Sequence, residues 1–221
     1  MRVLQLIDSL NLGGAERMAV SFANELALSN IDSFLCATRQ EGLLKDGLSN
    51  EVGYLFLNKT KTIDFKAIKT LNRFIKSNHI TIIHAHSTSF FLATLLKFRH
   101  KNLKLVWHDH YGKSEYLDER PFKVLKRCAS YFSHIFSVNT TLKAWAKQQL
   151  KAKSVSYLPN FAVPDTTKAQ TVLKGDANTR IIHLANLRPQ KDHFTLLEAF
   201  SKVLITHPNW TLHCVGKHFN D

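Results

Sequence analysis

Cysteine is scarce in this chain. There are three in 221 residues, Cys36, Cys128 and Cys214. The number is odd, the spacing is wide, and no C-x-x-C pair occurs. Neither a disulfide framework nor a cysteine-ligated structural zinc is expected, and a reducing compartment fits. Glycine (8) and proline (5) are few as well, so no long flexible linker is expected. Long apolar runs are missing. Val3–Ile7 is too short for a signal-peptide core, and Phe90–Leu96 is broken by Thr94 and too short to span a bilayer. The expected location is the cytoplasm, extending to a peripheral position on the inner face of the cytoplasmic membrane.

Acidic residues are the last shortage, with 17 against 30 lysines and arginines, a net charge of +13. Most of the basic residues fall on expected helices or their ends. They read either as solvated helix faces or as attraction to an anionic membrane surface. A nucleic-acid partner is not expected, because no helix-turn-helix, zinc-finger or RNP-type pattern accompanies the charge.

What is present is alternation. Apolar residues make up 44% of the chain, enough for a core. Val3–Ile7 reads as a strand buried on both faces. Ala15–Leu28 has helical spacing, and Phe34–Thr38 and Gly53–Leu57 read as strands. Asp64 is placed to cap a helix reaching Ser77. Then come a strand at Ile80–Ala85, a helix at Ser89–Phe98, a strand at Leu103–Trp107 and helical spacing within Pro121–Tyr131. A strand at Ile135–Val138, a helix at Thr141–Leu150 and a strand at Ser154–Leu158 complete the series. The fold class is α/β: a Rossmann-like parallel sheet with helices on both faces, over residues 1–160. Residues 161–179, with Pro164 and Gly175, read as a hinge. Residues 180–221 hold one β-α-β unit, the start of an incomplete second Rossmann-like domain.

Four places carry residues suited to chemistry. Gly13-Gly14-Ala15-Glu16 opens the first helix, where two glycines admit a ligand close to the backbone. The plainer reading is a tight turn with positive φ. The dinucleotide fingerprint is incomplete: the third glycine is absent and strand 2 ends without a carboxylate, which disfavours NAD. His84 and His86 end one strand in HAHS, on one face. No third metal ligand is evident beside them. His84 reads as a hydrogen-bonded structural histidine, while His86 is nearer the sheet edge where ligands bind. His108-Asp109-His110 ends the next strand, suited to sugar hydroxyls or proton transfer, or simply to loop capping. No G-x-S-x-G elbow supports a nucleophilic triad. Finally, Lys191 sits where a polar turn becomes a helix, a place suited to phosphate.

Taken in order, six segments resemble those of family 4 glycosyltransferases. They are LGGAERMA, HAHS, VWHDHYG, SVNTTLKAWA, YLPNFAVP and ANLRPQKDHFTLLEAF. The resemblance covers nearly the whole chain and implies the GT-B architecture, two Rossmann-like domains facing across a cleft. It implies retaining transfer of a sugar from a nucleotide-sugar donor to a glycan or lipid-linked acceptor, with no cofactor and no metal. Cell-surface polysaccharide or glycolipid assembly is the expected setting. By the same resemblance, Gly13 and Gly14 lie near the donor diphosphate and the acceptor, and Lys191 pairs with the diphosphate. His108 or His110 faces the acceptor and the reacting sugar. Glu16 and His86 belong to the acceptor cleft.

The sequence also departs from the family pattern. Asn186 stands at the family's phosphate-binding arginine, with Arg188 two residues on as its substitute. Asp192 stands in place of a glycine and is suited to cap the helix. The family's Glu-x7-Glu element is not reached before Asp221. The chain is therefore expected to be truncated and to transfer little sugar alone. The competing expectation is a non-catalytic glycan-binding module.

Overall fold

The computed structural model describes residues 1–164 and 171–217. The expected hinge therefore lies partly outside the described residues, as does the segment from His218 onward. Contacts divide the chain into two compact units, Met1–Pro164 and Asp165–Asp221.

The first unit is built on seven parallel strands: β1 (Arg2–Ser9), β2 (Asp32–Gln40), β3 (Gly53–Phe56), β4 (Ile82–His86), β5 (Lys104–Asp109), β6 (His134–Ser137) and β7 (Val155–Tyr157). Their order is β3-β2-β1-β4-β5-β6-β7. The chain lays strands one way from β1 to β3, then returns and lays β4 to β7 the other way. The direction reverses between β1 and β4, and in open α/β sheets a crevice forms at the C-terminal strand ends there.

The helices are α1 (Gly14–Leu28), α2 (Phe65–Ser77), α3 (Phe90–Lys97), α4 (Lys123–Ala129) and α5 (Thr140–Gln149). Two have side-chain caps that fix their starts. Asp64 Oδ1 accepts from the Ala67 amide at 3.0 Å, and Asn139 Oδ1 accepts from the Leu142 amide at 2.8 Å. Each satisfies one of the amides that a helix N-terminus leaves without a partner. Strand alternation sends β1 side chains to both faces of the sheet. Leu4 and Leu6 pack with Leu71, Ile75, Leu92 and Leu96 of α2 and α3. Ile7 packs with Ala19, Val20 and Ala23 of α1. A third cluster joins Trp107 and Ile135 to Trp145 and Leu125. Each such side chain contributes about 1.5–3 kcal/mol by leaving water.

Most expected elements differ from the observed ones by a residue or two at their ends. The largest difference is in β2, expected over Phe34–Thr38 and observed over Asp32–Gln40. Its outer residues pair with Arg2 and Ser9 of β1, a cross-strand gain that local apolar pattern does not show.

The second unit pairs β8 (Arg180–Leu184) in parallel with β9 (Thr211–Val215), with α6 (His193–Thr206) between them. None of these three elements has a fully buried residue among those described. Phe194 is 84% and Ile205 81% exposed. No described helix is long and apolar enough to cross a membrane.

Candidate active site

Four histidines meet at the C-terminal ends of β4 and β5. Strand pairing sets His86 opposite His108 and His84 opposite Val106. Because His84, His86, His108 and His110 are spaced by two along their strands, all four rings reach one side. The ring centroids of His108 and His110 are 4.1 Å apart, and those of His84 and His86 4.4 Å. Phe22 of α1 lies over the group, 5.2 Å from His84 and 5.8 Å from His108. Phe161 meets Phe22 edge-on at 5.2 Å.

Burial dominates the electrostatics, because an imidazolium placed there loses its hydration. It lowers His84 to about 3, His108 to about 2 and His110 to about 4, and holds His86 well below the ordinary value. Mutual repulsion among the rings adds to this for His84, His86 and His108. All four are neutral at physiological pH. Their hydrogen bonding is incomplete. His84 Nε2, both ring nitrogens of His108, and His110 Nδ1 are buried without a partner. The expectation of a hydrogen-bonded His84 is corrected on this point.

The expectation that no third metal ligand stands near His84 and His86 is also corrected. The third is His108, on the neighbouring strand, with the three donor atoms within 4.8 Å of one another. Sequence distance hid it. The arrangement is nevertheless a poor ion cage. The three rings lie within 11–38° of parallel, so their in-plane lone pairs run side by side and do not converge. Both nitrogens of His86 are already in hydrogen bonds.

Beside the histidines lies a cavity of about 310 Å³, lined by His110, Tyr111, Trp107, Phe90, Thr88 and Arg120 among others. Its floor is held by Asp109, which accepts two hydrogen bonds from Arg120. Neither residue was singled out from sequence as a pair, since Arg120 lies in an irregular loop. Asp8, at the end of β1, accepts from Thr38 and Thr88, both at 2.5 Å, and ties three strand ends together. Gln5, in the middle of an apolar strand, was missed too. A polar residue inside a doubly buried run is the signal that marks it.

The glycine loop begins α1. Gly13 has φ −158°, extended backbone, and Gly14 is not among the residues of positive φ. The tight-turn reading is thereby corrected. A side chain on Gly13 would collide with the Glu16 carboxylate, which folds back over it. Ser9 Oγ donates to that carboxylate at 3.3 Å. A Cβ on Gly14 would lie 4.0 Å from the side-chain Nδ2 of Asn160. Gly13, Gly14, Glu16 and Asn160 thus gather at one end of α1.

In the second unit, Lys191 closes a 3₁₀ turn, Pro189–Lys191, that begins after Arg188. It is therefore outside the helix expected to start at it. Asp192, at φ 44°, caps α6 by accepting from the Thr195 amide at 3.3 Å. Both Arg188 and Lys191 are exposed.

Residues 12–165 match Glycosyltransferase Family 4. The chain belongs to that family. No curated protein matches the chain significantly. Solved structures do. Anabaena HepE in complex with UDP and glucose aligns with a TM-score of 0.71 at 13% identity, covering 99% of this chain and 62% of that one. A glycosyltransferase from Rickettsia africae aligns at 0.62 and 14%, covering 98% and 68%. A Staphylococcus aureus TarM variant, in complex with fondaparinux, alpha-GlcNAc-glycerol and UDP, aligns at 0.64 and 9%, covering 99% and 73%. The chain thus spans about two thirds of the length of these structures. Its seven-stranded parallel sheet, flanked by helices, has the Rossmann-like form of the GT-B glycosyltransferases. Family membership places the histidine-bearing edge on a glycosyltransferase fold.

Proposed function

We propose that the chain acts in the transfer of a sugar from a nucleotide-sugar donor to a glycan or lipid-linked acceptor, with retention at the anomeric carbon. The observation that carries this reading is the cluster of neutral histidines bordering a cavity at the switch point of a family 4 fold. Such a cavity suits a hydroxylated acceptor, since Thr88, Asp109, His110 and Tyr111 put polar groups among its lining. In this reading, residues 1–160 form the acceptor side and residues 180–221 belong to the donor side.

The chemistry follows from charge. The anomeric C–O bond to the diphosphate breaks while the bond to the acceptor oxygen forms. The acceptor proton leaves with the departing phosphate oxygen. Lys191, with Arg188 in support, offsets the negative charge that grows on the diphosphate. Gly13 and Gly14 let that group approach the backbone. His110, on the cavity wall, orients the acceptor, with the buried His108 stacked against it; a ring held as low as His110 does not take up a proton at neutral pH. His86 and Glu16 support the cleft. No metal or other cofactor is needed, because the cationic side chains carry the electrostatic task.

The charge distribution favours a peripheral place at an anionic membrane surface on the cytoplasmic side. Residues 65–108 and 120–164 contain no aspartate or glutamate. In a parallel sheet, the turns from helix into strand lie at the N-terminal strand ends, away from the candidate site. There, Lys126, Lys151 and Lys153 line a cavity of about 510 Å³. Phe98 and Tyr131 stand exposed as a ring pair 4.8 Å apart. Cell-surface polysaccharide assembly is the setting that joins a membrane surface to a glycan acceptor.

The reading is tested by titrating the purified chain with UDP- and GDP-sugars and with glycan acceptors, then assaying transfer. Binding of both substrate classes supports it. Binding of glycan with indifference to every nucleotide would favour a non-catalytic glycan-binding module.

A further inference from the structure

Gln5 takes no part in the reading above, yet with His86 it forms a buried line that ends at His110. His86 Nε2 lies 2.9 Å from Gln5 Oε1, and His86 Nδ1 lies 3.0 Å from His110 Nε2. The direction of the line follows from chemistry. A carbonyl oxygen only accepts, so His86 Nε2 carries the proton. A neutral imidazole has one N–H, so His86 Nδ1 is a lone pair. His110 Nε2 must then be the donor, and its own proton is fixed. His110 Nδ1 is left as a lone pair, and it is the His110 nitrogen that has no partner.

We propose that Gln5 and His86 are positioning residues that set the tautomer of His110, a ring on the wall of the adjoining cavity. That the cavity takes an acceptor rests on the reading above; the tautomer does not.

Three features of the site make the line effective. Gln5 and His86 are fully buried, so no water competes for the two hydrogen bonds. Gln5 is the one polar residue in the buried middle of β1, flanked by Leu4 and Leu6. Its strand pairing holds it opposite His84, one strand from His86. The amide also determines polarity: Gln5 Nε2 has no partner. Turned toward His86, that NH₂ group would donate, and each proton along the line would move to the other nitrogen. His110 would then carry its proton on Nδ1 in place of Nε2. The amide orientation of a residue on β1 thus sets the tautomer of a histidine just past the end of β5.

Two-bond ¹H–¹⁵N correlation spectra of the histidine-labelled chain, without ligand, report each tautomer directly. His86 and His110 are both expected as the Nε2–H form; an Nδ1–H form at His110 overturns the proposal. Gln5→Met is nearly isosteric and removes only the acceptor. With no acceptor at residue 5, nothing holds the His86 proton on Nε2, and each arrangement of the line leaves one buried N–H unpaired, so the two become comparable in population. The signal of His110 then shifts toward Nδ1–H, although residue 5 does not touch it. Gln5→Glu, at a pH high enough to ionise the carboxyl, can only accept and is expected to restore the Nε2–H form. If the methionine variant does not fold, His86→Phe in the Gln5→Glu background is compared with Gln5→Glu alone. The presence of His86 must then change the His110 tautomer or its titration. A His110 spectrum indifferent to residue 5 in a folded variant, or indifferent to His86 in the glutamate background, rules the relay out. Because no substrate is present, such a failure leaves the glycosyltransferase reading standing, and loss of that reading leaves the tautomer result intact.

Discussion

Asp109 and Arg120 form a buried bidentate ion pair. The guanidinium donates at 2.7 and 2.8 Å to the two carboxylate oxygens. Burial pushes the Asp109 carboxyl upward in pKa, and the Arg120 hydrogen bonds pull it back. The guanidinium also lies 4.3 Å from the ring centres of both Tyr111 and Trp145. It thus closes the cavity wall and joins the β5 end to α5.

Removing one partner strands the other. Arg120→Met is expected to destabilise the first unit by about 3–5 kcal/mol, the usual cost of an uncompensated buried charge. Arg120→Lys should recover little, since an ammonium cannot bridge two oxygens while lying flat against two rings. Urea unfolding at neutral pH measures both. A loss below about 1 kcal/mol for the methionine variant would show that the pair is not a structural tie.

Stability should fall on mild acidification. His84, His86, His108 and His110 have folded values below the ordinary 6.5 of an exposed histidine. The unfolded chain therefore binds protons first as pH drops. Their contribution is complete above pH 6.5 and is lost as pH falls from there toward the folded values of about 4 and lower. Each group steepens the slope by up to about 1.4 kcal/mol per pH unit. Denaturant midpoints between pH 7.5 and 4.5 check this, and His84→Phe should flatten the curve. A stability curve flat over that range would contradict neutral buried rings.

Lys191→Ala is expected to weaken UDP binding by roughly 10- to 100-fold, the worth of a charge-assisted hydrogen bond. Arg188→Ala should act in the same direction. Calorimetric titration of the two variants measures each effect. Unchanged affinity for Arg188→Ala would remove it as the substitute for the arginine position held by Asn186.

His110→Ala is expected to reduce transfer by about 10²-fold, the usual cost of misplacing a bound reactant, while nucleotide affinity stays unchanged. Steady-state kinetics with varied acceptor separate the two effects. Loss of nucleotide binding instead would place His110 on the donor.

The chain should bind vesicles containing phosphatidylglycerol and not neutral phosphatidylcholine vesicles, with binding lost at high salt. Reversing Lys126, Lys151 and Lys153 to glutamate should abolish it. Equal sedimentation with both vesicle types would leave the positive charge as a solvated surface. Preference for RNA over vesicles would do the same.

Much of the fold was legible because its signals are local. A doubly buried strand such as Val3–Ile7 shows as an apolar run broken only by Gln5. Asp64 and the 64–77 pattern mark a helix start without reference to any other segment. The six ordered segments tied the chain to its family for the same reason: each is a short turn or strand end. The limits of β2 were less legible, because pairing with β1 sets them.

The site was legible in part. His86, His108 and His110 stand at strand ends, and position at the sheet edge marked them. The role of Gln5, the lid of Phe22 and the hold of Arg120 on Asp109 depend on residues 11 to 81 positions apart. Sequence order carries no record of such distances.

The sequence by itself determined the alternation of strands and helices, the positive charge, the family and the placing of histidines at strand ends. Each of these follows from spacing within one segment. Tertiary structure alone decided that β4 lies between β1 and β5. That placing brings Gln5 to His86 and His86 to His110, and it buries the rings deeply enough to keep them neutral. Desolvation and hydrogen-bond direction are properties of the assembled sheet, because only packing removes the water that would otherwise satisfy each ring alone.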